Sequence, residues 1–461
     1  MEQNKGMRQR VLKLAVPSII ENLLMSLVEY ADTAMVGSLG PLATAAVAVN
    51  TPVTWLFNST IMAISVGGTV AVAQSIGAGK NDRAKHLTDQ AFMAVVAFSL
   101  VVTVGMMLLS GWVPIWMGAE EEIIATSIRY LRIVLVGIPF AFFTIVFNGI
   151  LRGAGDTKTP MKLNMMTNVI NVGGNFFLIF PARQVTIGGS VLHIWGAGWG
   201  VEGAAISTTF SRIVSGILIL IIMMRQPVVR LTLGKILPDR ELLGQIFRIG
   251  IPSALERLSI SGGQILYFRV VSGLGTACLA AHQLANTAES LAYMPAFGFQ
   301  IAATTMVGQY VGAGDYDGAR HSGHTTFRLC LITTISFSLV MFFGAEQLIG
   351  LFTPSREVVL EGAAALRIMA VAEAFAAMAS VYTGALRGAG DTKQPFFVCL
   401  VSMWGVRLPM SLIFVNVMHW GLPGAWLAMA LDQILRGLLM LHRFRGKGWE
   451  LRLRRYEFWE S

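Results

Sequence analysis

Charge is what this sequence has least of. Asp, Glu, Lys and Arg make up 13% of 461 residues while 54% are hydrophobic, and a soluble domain carries about twice that share of charge. Such a chain has too little polar surface to face water. Cysteine is nearly missing. Cys278, Cys330 and Cys399 stand far apart without metal-ligand spacing, which argues against a disulfide framework and a zinc site. Phosphate-binding loops are missing too: "SIGAGKN" lacks the first glycine and the terminal Ser/Thr of a P-loop, so no ATP site is expected. No nucleophile–base or metal constellation stands out, so no catalytic or metal residues, no bound cofactor and no enzyme are expected.

What the chain has instead is apolar runs, each near or above the ~20 residues needed to cross ~30 Å of hydrocarbon as a helix. Twelve are legible, at roughly 14–36, 46–75, 91–113, 127–151, 162–181, 199–224, 249–273, 280–308, 326–350, 362–386, 396–417 and 421–441. The runs are continuous rather than alternating, which excludes a sheet barrel. The first follows Lys5, Arg8, Arg10 and Lys13, is too long for a signal-peptide core, and reads as a retained helix. Net charge is +9, yet most of the basic residues fall in the N-terminal segment, the even-to-odd helix connections and the C-terminal segment. Arg183 and Arg356 stand on the other side. That bias predicts both termini in the cytoplasm and removes the case for a nucleic-acid partner.

One phrase occurs twice. "LRGAGDTKTP" begins at Leu151 and "LRGAGDTKQP" at Leu386, 235 residues on. The same offset lays "LAVPSIIENL" over "IGIPSALERL", superposing Pro17 on Pro252 and Glu21 on Glu256, and "AQSIGAGKNDRAKH" over "GQYVGAGDYDGARH". Later Gly203-Ala204 align with Gly424-Ala425, so the first half holds about 14 extra residues, expected within 181–198. The predicted organisation is an N-terminal tail over 1–13, a first lobe over 14–224, a linker over 225–248, a second lobe over 249–441 and a basic tail over 442–461. The fold class is an all-α membrane protein with two six-helix lobes. An even helix count gives both lobes one orientation about a pseudo-two-fold along the membrane normal, with a cleft between them. In the repeated loop Asp156 and Asp391 suit helix caps and Arg152 and Arg387 the negative helix ends. The loop reads as a structural turn or as part of a cytoplasmic gate.

An ionised carboxylate at mid-membrane costs about 2.5–3.5 kcal/mol on insertion scales and calls for a partner, water or a proton. The first helix holds Glu21, Glu29 and Asp32, with Glu21 and Asp32 about 20° apart on one face and ~16 Å apart along the axis. Asn164, Asn168, Asn171 and Asn175 form an amide stripe on the fifth helix, which by itself equally suits helix–helix glue. In the second half His282, Asn286 and Glu289 share a face, and Glu256 and Glu373 are further acids. Arg257 and Arg269 are candidate partners for Glu256; Asp432 and Arg436 read as a local pair.

The phrases "VEYADTAMVGSLG", both "LRGAGDT" loops, "NVINVGGNFFLIF", "GVEGAAIST" and "LAAHQLANT" resemble the multidrug and toxic compound extrusion (MATE) family, prokaryotic type, over nearly the whole chain. The resemblance implies a V-shaped pair of lobes that exports cationic amphipathic compounds in exchange for protons or sodium, from the bacterial inner membrane, as a monomer. It implies proton coupling at Asp32 and a cavity wall at Asn171 and Asn175, where some members carry Asp at the second position. Glu21, Asn168 and Thr208 complete the first-lobe candidates for coupling and substrate binding. Glu256, Glu289, His282 and Glu373 are the second-lobe ones, although Glu256 and Glu373 lie about one turn from the acids of sodium-coupled relatives. The alternative is a flippase of a lipid-linked precursor, which would want a cleft rich in cations.

Overall fold

The structure, a computed structural model, describes residues 2–187, 190–232 and 237–451. The described residues are almost wholly helical. In the first half run α1 (Glu2–Gly37), α2 (Pro41–Ala48), α3 (Thr51–Gly77), α4 (Asn81–Leu109), the short α5 (Val113–Trp116), α6 (Glu121–Gly153), α7 (Lys158–Leu178) and α8 (Gly200–Arg225). In the second run α9 (Arg240–Ser272), α10 (Thr276–Gly312), α11 (Tyr316–Phe343), the short α12 (Ala345–Gly350) and α13 (Arg356–Gly388). A helix over 393–417 follows, made of α14 (Lys393–Leu400) and α15 (Leu408–Leu412) with π-helical turns at Val401–Arg407 and Ile413–Val417, and α16 (Gly421–Arg445) closes the set. Nine of these segments among the described residues are long and apolar enough to cross a membrane by length and composition. The remaining long helices, α7, α9 and α10, owe their lower hydropathy to the amides and charges that the sequence placed there, including the Asn stripe and Glu256 with Arg257.

Several boundaries differ from expectation. The predicted N-terminal tail over 1–13 is the first part of α1, because Met7 and Val11 bury against the second half. The run expected at 46–75 breaks at Asn50, whose side-chain amide bonds back to Ala46 and across to Ser127. Four linker residues, 233–236, and the last ten of the predicted C-terminal tail, 452–461, lie outside the described residues. The extra residues of the first half, expected within 181–198, form a hairpin there: Pro181–Ile187 (β1) pairs antiparallel with Ser190–Ala197 (β2), the one sheet among the described residues.

Within the first half α6 packs on α8 and α3, and α7 on α8 and α1; within the second, α13 packs on α10, α11 and α16. The opening helix of each half crosses over. Met7, Val11, Leu14 and Ala15 of α1 belong to a core with α10, α13 and α16, whereas Leu242 and Ile246 of α9 belong to the core of the first half. Pro17 and Pro252 interrupt α1 and α9 at equivalent positions, where each removes a backbone hydrogen bond and favours a bend.

The halves meet where the repeat is strictest. A methyl group on Gly77 would lie 1.9 Å from the Gln309 carbonyl oxygen, and one on Gly312 would lie 1.9 Å from that of Gln74. Only glycine permits this backbone-to-backbone approach. Gln74 Nε2 donates to the Gly388 carbonyl at 3.0 Å, and Gln309 Nε2 donates to the Gly153 carbonyl at 3.2 Å. These two bonds are related by the 235-residue repeat, and Thr305 Oγ1 adds a third cross-half bond to the Arg152 carbonyl at 2.9 Å. The repeated loop therefore serves as a turn and as half of a seam on the face that carries the basic connections.

Candidate functional site

The first-half site is assembled by α1, α7 and α8. Asp32, half-buried near the end of α1, accepts a hydrogen bond from Asn175 Nδ2 at 2.7 Å. Asn171, one turn earlier on α7, lies between Asp32 and Thr208. With its nitrogen turned to the acid it donates to the two carboxylate oxygens at 2.9 and 2.8 Å while its oxygen accepts from Thr208 Oγ1 at 3.2 Å. Ser207 Oγ donates to the Asn171 carbonyl at 2.8 Å and ties α8 to α7. Asp32, Asn171, Asn175 and Thr208 thus come together as the sequence suggested, and Asp32 forms no ion pair among the described residues. Asn168, a turn away on the same stripe, leaves its buried Nδ2 without a partner.

Glu21 sits elsewhere on α1. It is 2% exposed, ion-paired to Arg152 and hydrogen-bonded by Asn164. Glu256 is its counterpart, ion-paired to Arg387 at 2.8 Å. Arg387, not Arg257 or Arg269, is therefore the partner seen for Glu256. Both pairs join the opening helix of a half to the repeated loop, and the carbonyls of Arg152, Gly153 and Gly388 in those loops accept the cross-half bonds. Asp156 accepts from Thr159 N at 3.0 Å, the expected cap, and Asp391 binds Arg443.

The second half gathers a different set. Glu373 is fully buried and both of its carboxyl oxygens lack a partner among the described residues, while Glu289 belongs to α10, which packs on the helix of Glu373, α13. His282 is held on both nitrogens: Trp426 Nε1 donates to Nδ1 at 3.1 Å, and the Asn286 amide lies 2.9 Å from Nε2. Nδ1 accepts from the indole N–H, and the Asn286 atom that faces Nε2 is the amide nitrogen. Asp432, fully buried, pairs with Arg436 at 3.0 Å, as its spacing suggested, and with Arg407 at 2.6 Å. Arg407 comes from the π-helical turn over 401–407, a wide turn of the kind that concentrates at functional sites.

Sequence reasoning passed over Arg212, Tyr130, Gln74 and Gln309. Arg212 had a visible signal, a lone charge in the middle of an apolar run and four residues after Thr208. The glutamines were preserved by the repeat and carried no reading until their partners were seen.

Two repeated six-helix halves around buried acids and amides fit a membrane transporter. The MatE family model matches residues 17–177 and 252–413, one copy per half, and the chain belongs to the multidrug and toxic compound extrusion family. A relative from Thermotoga maritima described as "Probable multidrug resistance protein NorM" is 31% identical over 98% of this chain and 95% of its own length. The "Uncharacterized transporter YisQ" of Bacillus subtilis is 27% identical over 95% and 94%. Among solved structures, an outward-facing multidrug resistance MATE transporter superposes with a TM-score of 0.88 at 24% identity, covering 98% of this chain and 97% of that one. A MOP superfamily transporter from Pyrococcus furiosus described as having a binding pocket of reversed polarity gives 0.86 at 24%, over 97% and 96%. At these identities the two structures establish the fold.

Proposed function

We propose that this chain is an antiporter of the bacterial inner membrane, with both termini cytoplasmic, that exports cationic amphipathic compounds against protons by alternating access. The observation that carries the reading is Asp32: a carboxylate held by two amides and free of any ion pair among the described residues. An acid so placed can take a proton or an organic cation in turn, and one carboxylate cannot hold both. The seam of Gln74, Gln309, Gly77 and Gly312 supports a state closed toward the cytoplasm and open at the other end.

Exchange of one proton for one monocation moves no net charge, so the membrane potential, about 2.3 kcal/mol per charge per 100 mV, adds nothing. A second cation site would change that. Glu373 with Glu289 is the better candidate, since Glu256 is engaged by Arg387. The names of relatives as multidrug resistance proteins support the substrate class. The lipid-linked precursor flippase is the second reading; Arg212 favours it, whereas Arg407 in the second half is already neutralised by Asp432. The test is ethidium export from everted vesicles energised by a pH or a sodium gradient, for the natural protein, Asp32→Asn and Glu373→Gln. Asp32→Asn should stop export under either gradient, and Glu373→Gln should remove any transport current. Normal export by Asp32→Asn under both gradients refutes the assignment.

A further inference from the structure

Arg212 sits at the centre of α8, about 18 Å of helix from either end, too deep for its side chain to reach an interface easily. Other arginines that bury in this fold have carboxylate partners: Arg152 has Glu21, Arg387 has Glu256, and Arg407 and Arg436 share Asp432. Arg212 has neither an ion pair nor a hydrogen bond among the described residues, and its Nη1 is enclosed without a partner. A guanidinium in that state is a site awaiting an acceptor.

Its placement says what kind. Thr208, one turn before it on the same face of α8, contacts Asn171, which contacts Asp32. Tyr130 and Asp32 belong to α6 and α1, both of which pack on α8. The arginine stem is seated: a methyl on Gly137 of α6 would lie 3.5 Å from its Cδ, and Thr209 Oγ1 donates to the Ile133 carbonyl at 2.9 Å, fixing α8 on α6 at this level. Asp32 meanwhile is satisfied by amides. On either side of the Thr208–Asn171 contact there are thus an unpaired guanidinium, one turn along α8, and an amide-bound carboxylate on α1. A plain monocation drawn to Asp32 is repelled by Arg212, and a plain anion drawn to Arg212 is repelled by Asp32. A molecule with both charges satisfies both.

We propose that Arg212 is a specificity-determining residue of the first-half site, and that the preferred substrates are zwitterionic amphipaths whose ammonium end sits at Asp32 and whose carboxylate forms a paired hydrogen bond with the Arg212 guanidinium. This rests on the export reading above and moves the preferred substrates from plain monocations such as ethidium, still accepted more weakly, to cations that also carry a carboxylate. The guanidinium fork suits a carboxylate in a way an ammonium does not.

The test uses a rhodamine with a free benzoate, which is a zwitterion, and its methyl ester, which is a monocation of nearly the same shape. Binding to the full-length protein in detergent is read by fluorescence polarisation, and export is read in everted vesicles. The natural protein should bind the free acid about tenfold more tightly than the ester, the range of a charge-assisted hydrogen bond. Arg212→Gln should abolish that preference by weakening the acid and tightening the ester, and Arg212→Lys should restore part of it. Equal affinity for the two dyes in the natural protein, or an equal effect of Arg212→Gln on both, overturns the proposal. Binding with the predicted preference but no export of either dye overturns the antiport reading and leaves the role of Arg212 standing.

Discussion

Replacing Gln74 and Gln309 together by leucine tests the seam. Leucine keeps nearly the same bulk and removes the amide, so the Gly388 and Gly153 carbonyls lose their cross-half donors. A neutral hydrogen bond contributes about 0.5–1.5 kcal/mol net. Loss of two weakens the closed seam by about 1–3 kcal/mol, which shifts the open-to-closed ratio about 5- to 150-fold. Spin labels on cysteines introduced at the exposed Asn81 and Asp317, in a background without Cys278, Cys330 and Cys399, report the distance across that face by double electron–electron resonance. The double variant should move population to longer distances, and each single variant should move about half as much in free energy, because the two bonds are equivalent under the repeat. An unchanged distance distribution in the double variant would refute the latch, leaving the glutamines as passengers.

Gly77→Ala should open the same face more strongly than either glutamine change, since its methyl would meet the Gln309 carbonyl oxygen at 1.9 Å; the same spectroscopic pair detects it, and a distribution like the natural protein's would count against the packing. Glu21→Gln leaves Arg152 without its carboxylate in a site where the acid is 2% exposed, and breaking a buried pair from one side costs about 3–5 kcal/mol. Its thermal unfolding midpoint in detergent should fall well below that of the natural protein and recover in part in Glu21→Gln/Arg152→Gln; an unchanged midpoint in the single variant would mean the pair contributes nothing.

Periodicity and repetition carried most of the architecture into view. Long apolar runs determine helices in hydrocarbon because no other local structure satisfies the backbone there, and the 235-residue offset set Pro17 against Pro252, Glu21 against Glu256 and Gln74 against Gln309. The stripe of Asn164, Asn168, Asn171 and Asn175 was legible from its helical rhythm and Asp32 as an acid in an apolar run, whereas their reading as one site, with Thr208, came from the family resemblance. The Glu21–Arg152 pair was not, since 131 residues separate its members and nothing local couples them. Nor was the crossing of α1 and α9 between halves, because burial of Met7 and Val11 depends on a surface made by α10, α13 and α16. The hairpin at 181–197 hid among helices because an isolated pair of strands has little pattern of its own. Arg212 was readable in principle; its meaning came only from the lack of a partner.

The sharing of cores has a consequence for biosynthesis. Met7, Val11, Leu14 and Ala15 leave the ribosome first, yet their packing partners run as late as Trp449. At about 5–20 residues per second, that delay is roughly 20–90 s. Throughout it the base of α1 waits with its docking groove unmade, so the earliest segment translated is among the last to settle.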